Sequence, residues 1–166
     1  MATGPRYKVA FRRRREFRTD YYARKKLLRS GELRAVVRRS NKNVTVQLIE
    51  FGMEGDNVRA TATTRELRKM GWEYSCSSIP AAYLVGYLAG KRAKKEGIEY
   101  AVLDIGMQNP KRGGVLFATV KGMTDAGLEV PHSEDVLPAD DRVKGKHIDA
   151  GVDAALGKMK KKMEAE

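Results

Sequence analysis

The chain has 166 residues, 42% of them hydrophobic, a one-domain length that can bury roughly 70% of its unfolded surface, which excludes wholesale disorder. Its one cysteine, Cys76, excludes an internal disulfide framework and a four-cysteine zinc site. The formal charge is +12, but 15 of the 33 Lys+Arg fall in residues 1–42 against only Glu16, Asp20 and Glu32, leaving 18 of each sign in residues 43–166. A neutral body behind a strongly basic leading segment is built to meet a polyanion.

Residues 1–19 read as an extended arm. Arg12, Arg13, Arg14 and Arg15 are contiguous, with Arg6, Lys8 and Arg18 around them. Adjacent cations repel in a compact state, so the arm is expected to order on its ligand. Thr19 or Asp20 caps a helix over 20–29 that Gly31 ends. Strands follow at 33–40 and 43–51, flanking a turn at Asn41–Lys42. A second turn at 54–56 leads to a strand over 57–63, with Val58, Ala60 and Ala62 on one face. A short helix is expected around 64–71.

Residues 79–95 carry the strongest helix signal. Ser77 or Ser78 caps it, Pro80 suits its first turn, cations crowd its last turns and Gly97 stops it. Its small residues, Gly86 and Gly90 among them, predict close approach to a sheet. A buried strand at 101–106 then implies a βαβ crossover. Residues 110–114 form a loop, 115–127 a helix, and 129–146 a polar, loop-like stretch. Ile148, Val152, Leu156, Met159 and Met163 recur at helical spacing in the tail. The expected architecture is one α/β sandwich domain: a mixed sheet with packed helices over 20–147, a basic N-terminal arm over 1–19 and a helical tail over 148–166. The opening MATGPRYKV carries no apolar signal run and no stretch is long enough to span a bilayer, so a soluble, cytoplasmic chain with no membrane partner is expected.

Arginine presents a planar fork that matches phosphate oxygens in pairs and stacks on bases. Tyr7, Phe11, Phe17, Tyr21 and Tyr22 are interleaved with the arginine run, as suits unstacked RNA bases. The competing reading is a solvated tail or a localisation signal. Arg34, Arg38, Arg39 and Lys42 either extend the basic surface or protect an edge strand. Lys111 and Arg112 precede a helix, where exposed amides favour an anion, or they sit in a plain loop. Asp104, in an apolar strand, is either a catalytic carboxylate without an evident partner or a buried acid paired to an amide or a base. His132 and His147 are expected to be exposed, and Cys76 structural. No cofactor, metal or small-molecule substrate is implied. The same residues also fit a general basic-arm nucleic-acid-binding or regulatory protein.

The block FRRRREFRTDYYARKKLL (11–28) resembles the N-terminal block of the archaeal and eukaryotic 5S-rRNA-binding proteins of the large ribosomal subunit, the family of bacterial large-subunit ribosomal protein eighteen. The likeness continues in order through VVRRSNKNVTVQLIEF (36–51), SCSSIPAAYLVGYLAGKRAKKEGI (75–98), AVLDIG (101–106), KGMTDAGLEVPHSEDVLP (121–138) and KGKHI (144–148). It implies an α/β sandwich without catalysis that anchors 5S rRNA to the large-subunit rRNA in the central protuberance, beside other large-subunit proteins. It carries an RNA-binding role onto Arg12, Arg13, Arg14, Arg15, Arg18, Tyr21, Arg24 and Lys25, and onto Arg38, Arg39, Asn41 and Lys42. One departure is Phe17–Arg18, where the family more often has Gly-Lys.

Overall fold

The computed structural model describes residues 4–149 and 151–165. Residues 1–3 of the expected arm and residues 150 and 166 of the expected tail lie outside the described residues. The arm is not extended throughout: Arg12–Arg15 wind into one helical turn, α1. Helix α2 (Tyr21–Leu28) starts at Asp20, whose carboxylate accepts from the amides of Tyr22 and Ala23 at 2.9 and 3.1 Å. This meets two of the orphan donors of a helix start.

Strands β1 (Arg34–Arg39), β2 (Val44–Phe51), β3 (Asp56–Thr63) and β4 (Val102–Asp104) form one sheet in the order β3-β2-β1-β4. The first three make an antiparallel meander, and β4 joins β1 in parallel. The chain reaches β4 from the opposite edge through α3 (Thr64–Lys69) and α4 (Ile79–Lys95), which gives the expected crossover. Ser40 and Asn43 close the β1–β2 turn. The β2–β3 turn is closed at Gly52–Gly55, two residues ahead of its expected place. Alternation buries Ala35, Val37, Val44, Val46, Leu48, Ala60 and Ala62. It breaks at Val58, which is exposed, because a bulge shifts the register between Leu48 and Ile49.

Helix α4 has the expected bounds. Ser78 accepts from the amide of Ala81, and Pro80 needs no amide partner at the second position. Its glycines serve helix α5 (Val115–Asp125) rather than the sheet. A Cβ at Gly86 would meet the Thr119 carbonyl, and one at Gly122 the Tyr83 carbonyl. Residues 129–146 are more structured than expected: a 3-10 turn (Glu134–Val136) and helix α6 (Asp140–Val143) interrupt them, and Val130 and Val143 join the core. Helix α7 (Gly151–Ala165) lays Val152, Leu156, Met159 and Met163 into that core beside α4. Ile148 precedes the helix and is exposed. Lys160 Nζ sits 4.6 Å from the Tyr83 ring, and the Tyr87 hydroxyl donates to Glu164 at 2.9 Å. Burial pushes the Tyr83 and Tyr87 hydroxyls up, and the neighbouring carboxylates Asp125 and Glu164 add to the shift. Both phenols therefore stay protonated donors.

Candidate nucleic-acid interface

Four side chains on a single turn radiate around its whole circumference. All four arginines of α1 are exposed. Arg12 and Arg18 flank Glu16 at 3.8 and 3.5 Å, and Arg13 donates to the Thr19 hydroxyl at 2.9 Å. Arg14 and Arg15 make no ion pair among the described residues. Pairs this exposed contribute little to stability, so these guanidiniums are free to be exchanged onto phosphate. Arg6 and Lys8 are exposed on the irregular segment before α1. The Phe11 and Tyr21 rings meet at 5.3 Å between centroids and tie α1 to α2. Lys25 is exposed, and Lys26 lies 4.6 Å from the ring of Tyr22.

Arg24 leads from α2 into the body. Its guanidinium bonds both oxygens of Asp56 at 3.0 and 2.8 Å. Asp56 also accepts from Arg34 at 2.7 Å, and Arg34 reaches Asp104 at 3.1 Å. Asp104 in turn accepts from Arg38 at 3.0 Å and from the Gly106 amide at 2.9 Å. Burial raises the Asp56 carboxyl, but the hydrogen bonds from Arg24 and Arg34 outweigh it and hold it below the usual carboxylate range. Arg34 is only 2% exposed, so it is not part of the basic surface: it is the buried link of an Arg–Asp–Arg–Asp–Arg chain from α2 through β3 and β1 to β4. Asp104 is 6% exposed with both oxygens committed, which leaves it no role as a base. Arg38 stays half exposed, in a groove with Arg13, Arg18, Tyr21 and Arg24.

Arg39, the next residue on β1, belongs to a second groove with Asn41, Lys111, Arg112 and Arg142. Lys42 is exposed on the adjoining turn. Gln108 fixes this end: its amide nitrogen donates to the Val37 carbonyl at 2.9 Å, and its oxygen accepts from the Arg39 amide at 3.0 Å. Gly114, the cap of α5, offers no side-chain acceptor to that helix start. Arg142 was not legible as part of this group; only α6 brings it there. The end of β1 thus divides the cations, Arg38 toward the arm and Arg39 toward the α5 end. Cys76 is buried, with Sγ 3.5 Å from the Thr64 carbonyl oxygen. His147 is exposed, whereas His132 is half-buried with Nδ1 2.6 Å from the Val130 carbonyl oxygen. Among the described residues no cluster of side chains is suited to hold a metal, and no helix is long and apolar enough to cross a membrane.

The arrangement is that of a basic-armed α/β scaffold, with cations along one strand end and on a leading segment. Residues 5–99 match the family described as ribosomal large subunit proteins 60S L5 and 50S L18. The chain is 55% identical over 148 residues to the large ribosomal subunit protein uL18 of Methanothermobacter thermautotrophicus, covering 89% of this chain and 77% of that protein. Identity is 53% to the protein of the same name from Korarchaeum cryptofilum (89% and 76% covered) and 52% to that from Haloarcula marismortui (89% and 79% covered). The chain belongs to this family of ribosomal large-subunit proteins. It is a structural constituent of the ribosome and not an enzyme.

Proposed function

We propose that the chain binds 5S rRNA and fastens it to the large-subunit rRNA. The observation that carries this reading is the placement of charge: the whole excess lies in residues 1–42 and, buried Arg34 apart, on an exposed arm, α2 and the β1 end, in front of a neutral remainder. In this reading Arg6, Lys8, Arg12, Arg13, Arg14, Arg15, Arg18, Tyr21, Arg24 and Lys25 form one footprint. Arg38, Arg39, Asn41 and Lys42 continue it, and Lys111 and Arg112 extend it along the second groove. The arm (1–19) grips, the body (20–147) fixes its origin, and the tail (148–166) braces α4. Phosphate contacts supply affinity and RNA shape supplies most of the specificity. The working place is the cytoplasmic ribosome, beside neighbouring large-subunit proteins.

The test titrates 5S rRNA with the intact chain and with a version lacking residues 1–18, using tRNA as competitor at several salt concentrations. Six to eight phosphate contacts give a log–log salt slope of about −4 to −7. The expected result is tight, tRNA-resistant binding that collapses on truncation. A flat salt response, or equal displacement by tRNA, would overturn the assignment.

A further inference from the structure

Helices α3, α4, α5 and α6 all end the same way. The first residue beyond the cap adopts a left-handed backbone, its amide bonds the carbonyl three residues back, and the next amide bonds the carbonyl five residues back. In α4 these bonds are Gly97 to Lys94 at 3.1 Å and Ile98 to Ala93 at 2.9 Å. In α3 they run from Gly71 and Trp72, in α5 from Gly127 and Leu128, and in α6 from Gly145 and Lys146. This is the Schellman closure, and glycine fills the left-handed position in all four helices because it has no Cβ to clash.

The arginine turn α1 closes identically, with Phe17 bonded to Arg14 at 3.1 Å and Arg18 to Arg13 at 2.8 Å. Its left-handed position, at φ 52°, holds Phe17, the one non-glycine residue with positive φ among the described residues. A bulky side chain at positive φ is an outlier, and strain of this kind persists where function calls for it. The two closure hydrogen bonds hold this backbone, but Phe17 is 82% exposed and its ring has no ring partner among the described residues, whereas Phe11 rests on Tyr21. At three of the other four closures the following residue helps to bury the end, as Trp72, Ile98 and Leu128 do; at α6 it is exposed Lys146, and here it is exposed Arg18. An aromatic ring held in water on a strained backbone is open to cover by a bound partner. Arg13, Arg14 and Arg15 precede the ring and Arg18 follows it, so that partner is a polyanion that also offers flat aromatic faces.

We propose that Phe17 is a base-stacking residue: its ring lies on an unpaired RNA base while the flanking arginines hold the adjacent phosphates. This deepens the RNA-binding reading and rests on it. Base–aromatic stacking tolerates any base, so Phe17 adds affinity and a demand for unpaired nucleotides rather than sequence choice.

The experiment compares the full chain with F17G and F17W, using three probes: 5S rRNA, poly(A), and heparin as a polyanion without bases. Glycine is the residue this backbone favours, so F17G should not lower the unfolding midpoint. Its binding to 5S rRNA and poly(A) should weaken about 5- to 150-fold, the range expected for one lost stack, with heparin binding and the salt slopes unchanged. F17W should bind like the wild type, and its new fluorescence should be quenched by poly(A), against a background from buried Trp72. Wild-type affinity of F17G for both RNAs would overturn the proposal and leave the ring to a protein partner. An equal loss on heparin would also overturn it, since the damage would then be to the arginine turn. If the wild type itself prefers 5S rRNA no more than tRNA, the 5S assignment fails, while the contrast between poly(A) and heparin still decides Phe17.

Discussion

Replacing Asp104 with alanine tests the charge chain on which the arm's position depends. Asp104 holds Arg34 at 3.1 Å and Arg38 at 3.0 Å, and it is nearly sealed from water. Its loss leaves Arg34, 2% exposed, with Asp56 alone at 2.7 Å. Removing one partner of a buried pair costs about 3–5 kcal/mol. Because Asp56 still holds one arm of the guanidinium, the lower end applies, about 3 kcal/mol. Arg38 can relax into solvent and adds little. A chain of this length loses roughly 2–4 °C of melting temperature per kcal/mol, so the midpoint should fall by roughly 6–12 °C. Urea and thermal unfolding followed by circular dichroism measure both quantities. The double variant Arg34→Met, Asp104→Leu should recover most of the loss, since apolar groups of similar size often replace a buried pair without cost. A single-variant loss below about 1 kcal/mol would refute the reasoning, as would a double variant as unstable as the single.

Three further outcomes are expected. Asp56 titrates below its unfolded value, so its contribution is complete above pH ~4 and drains as pH falls through the lowered folded value. Stability measured from pH 5 down to pH 2 should therefore drop, and Asp56→Asn should flatten that drop. Gly122→Ala drives a methyl into the Tyr83 carbonyl and should cost about 1–3 kcal/mol or more, read from urea midpoints. Arg14→Gln with Arg15→Gln should leave the unfolding midpoint unchanged, since neither is paired among the described residues, yet reduce the salt slope of 5S rRNA binding by about 1.4–1.8.

The sequence made α4 legible from end to end because three local signals agree there: Ser78 as cap, Pro80 in the first turn and Gly97 beyond the end. The three meander strands were legible from alternation, which failed where a bulge breaks the period at Val58, whereas the buried strand expected over 101–106 is confined to Val102–Asp104, with Val102 and Leu103 half-buried. Arg34 was misplaced because local sequence reports charge but not partners. Its acids lie 22 and 70 residues away and meet it only through the sheet. The arginine block announced the candidate interface by composition alone. Arg142 did not, since its place beside Arg39 and Lys111 depends on α6 folding against the α5 end. The turn within the arginine run escaped notice because glycine, the usual sign of a Schellman closure, is replaced there by Phe17.

The order in which the acids become available has a kinetic consequence. The meander β1–β2–β3 is complete by Thr63, but Asp104, which neutralises the inner side of Arg34, lies 70 residues beyond that arginine. A partial chain that sealed β1 before then would trap a cation with only half its counter-charge, at a desolvation cost of several kcal/mol. The expectation is a meander that stays loosely packed on that face until α4 has crossed and β4 docks. Closing the sheet and completing the charge chain become one late, non-local step, although Asp56 can already hold Arg24 at the root of the arm. A nascent chain that ends before Asp104 would hold its arm through the Arg24–Asp56 pair alone, with Arg34 and Arg38 still lacking their shared acid.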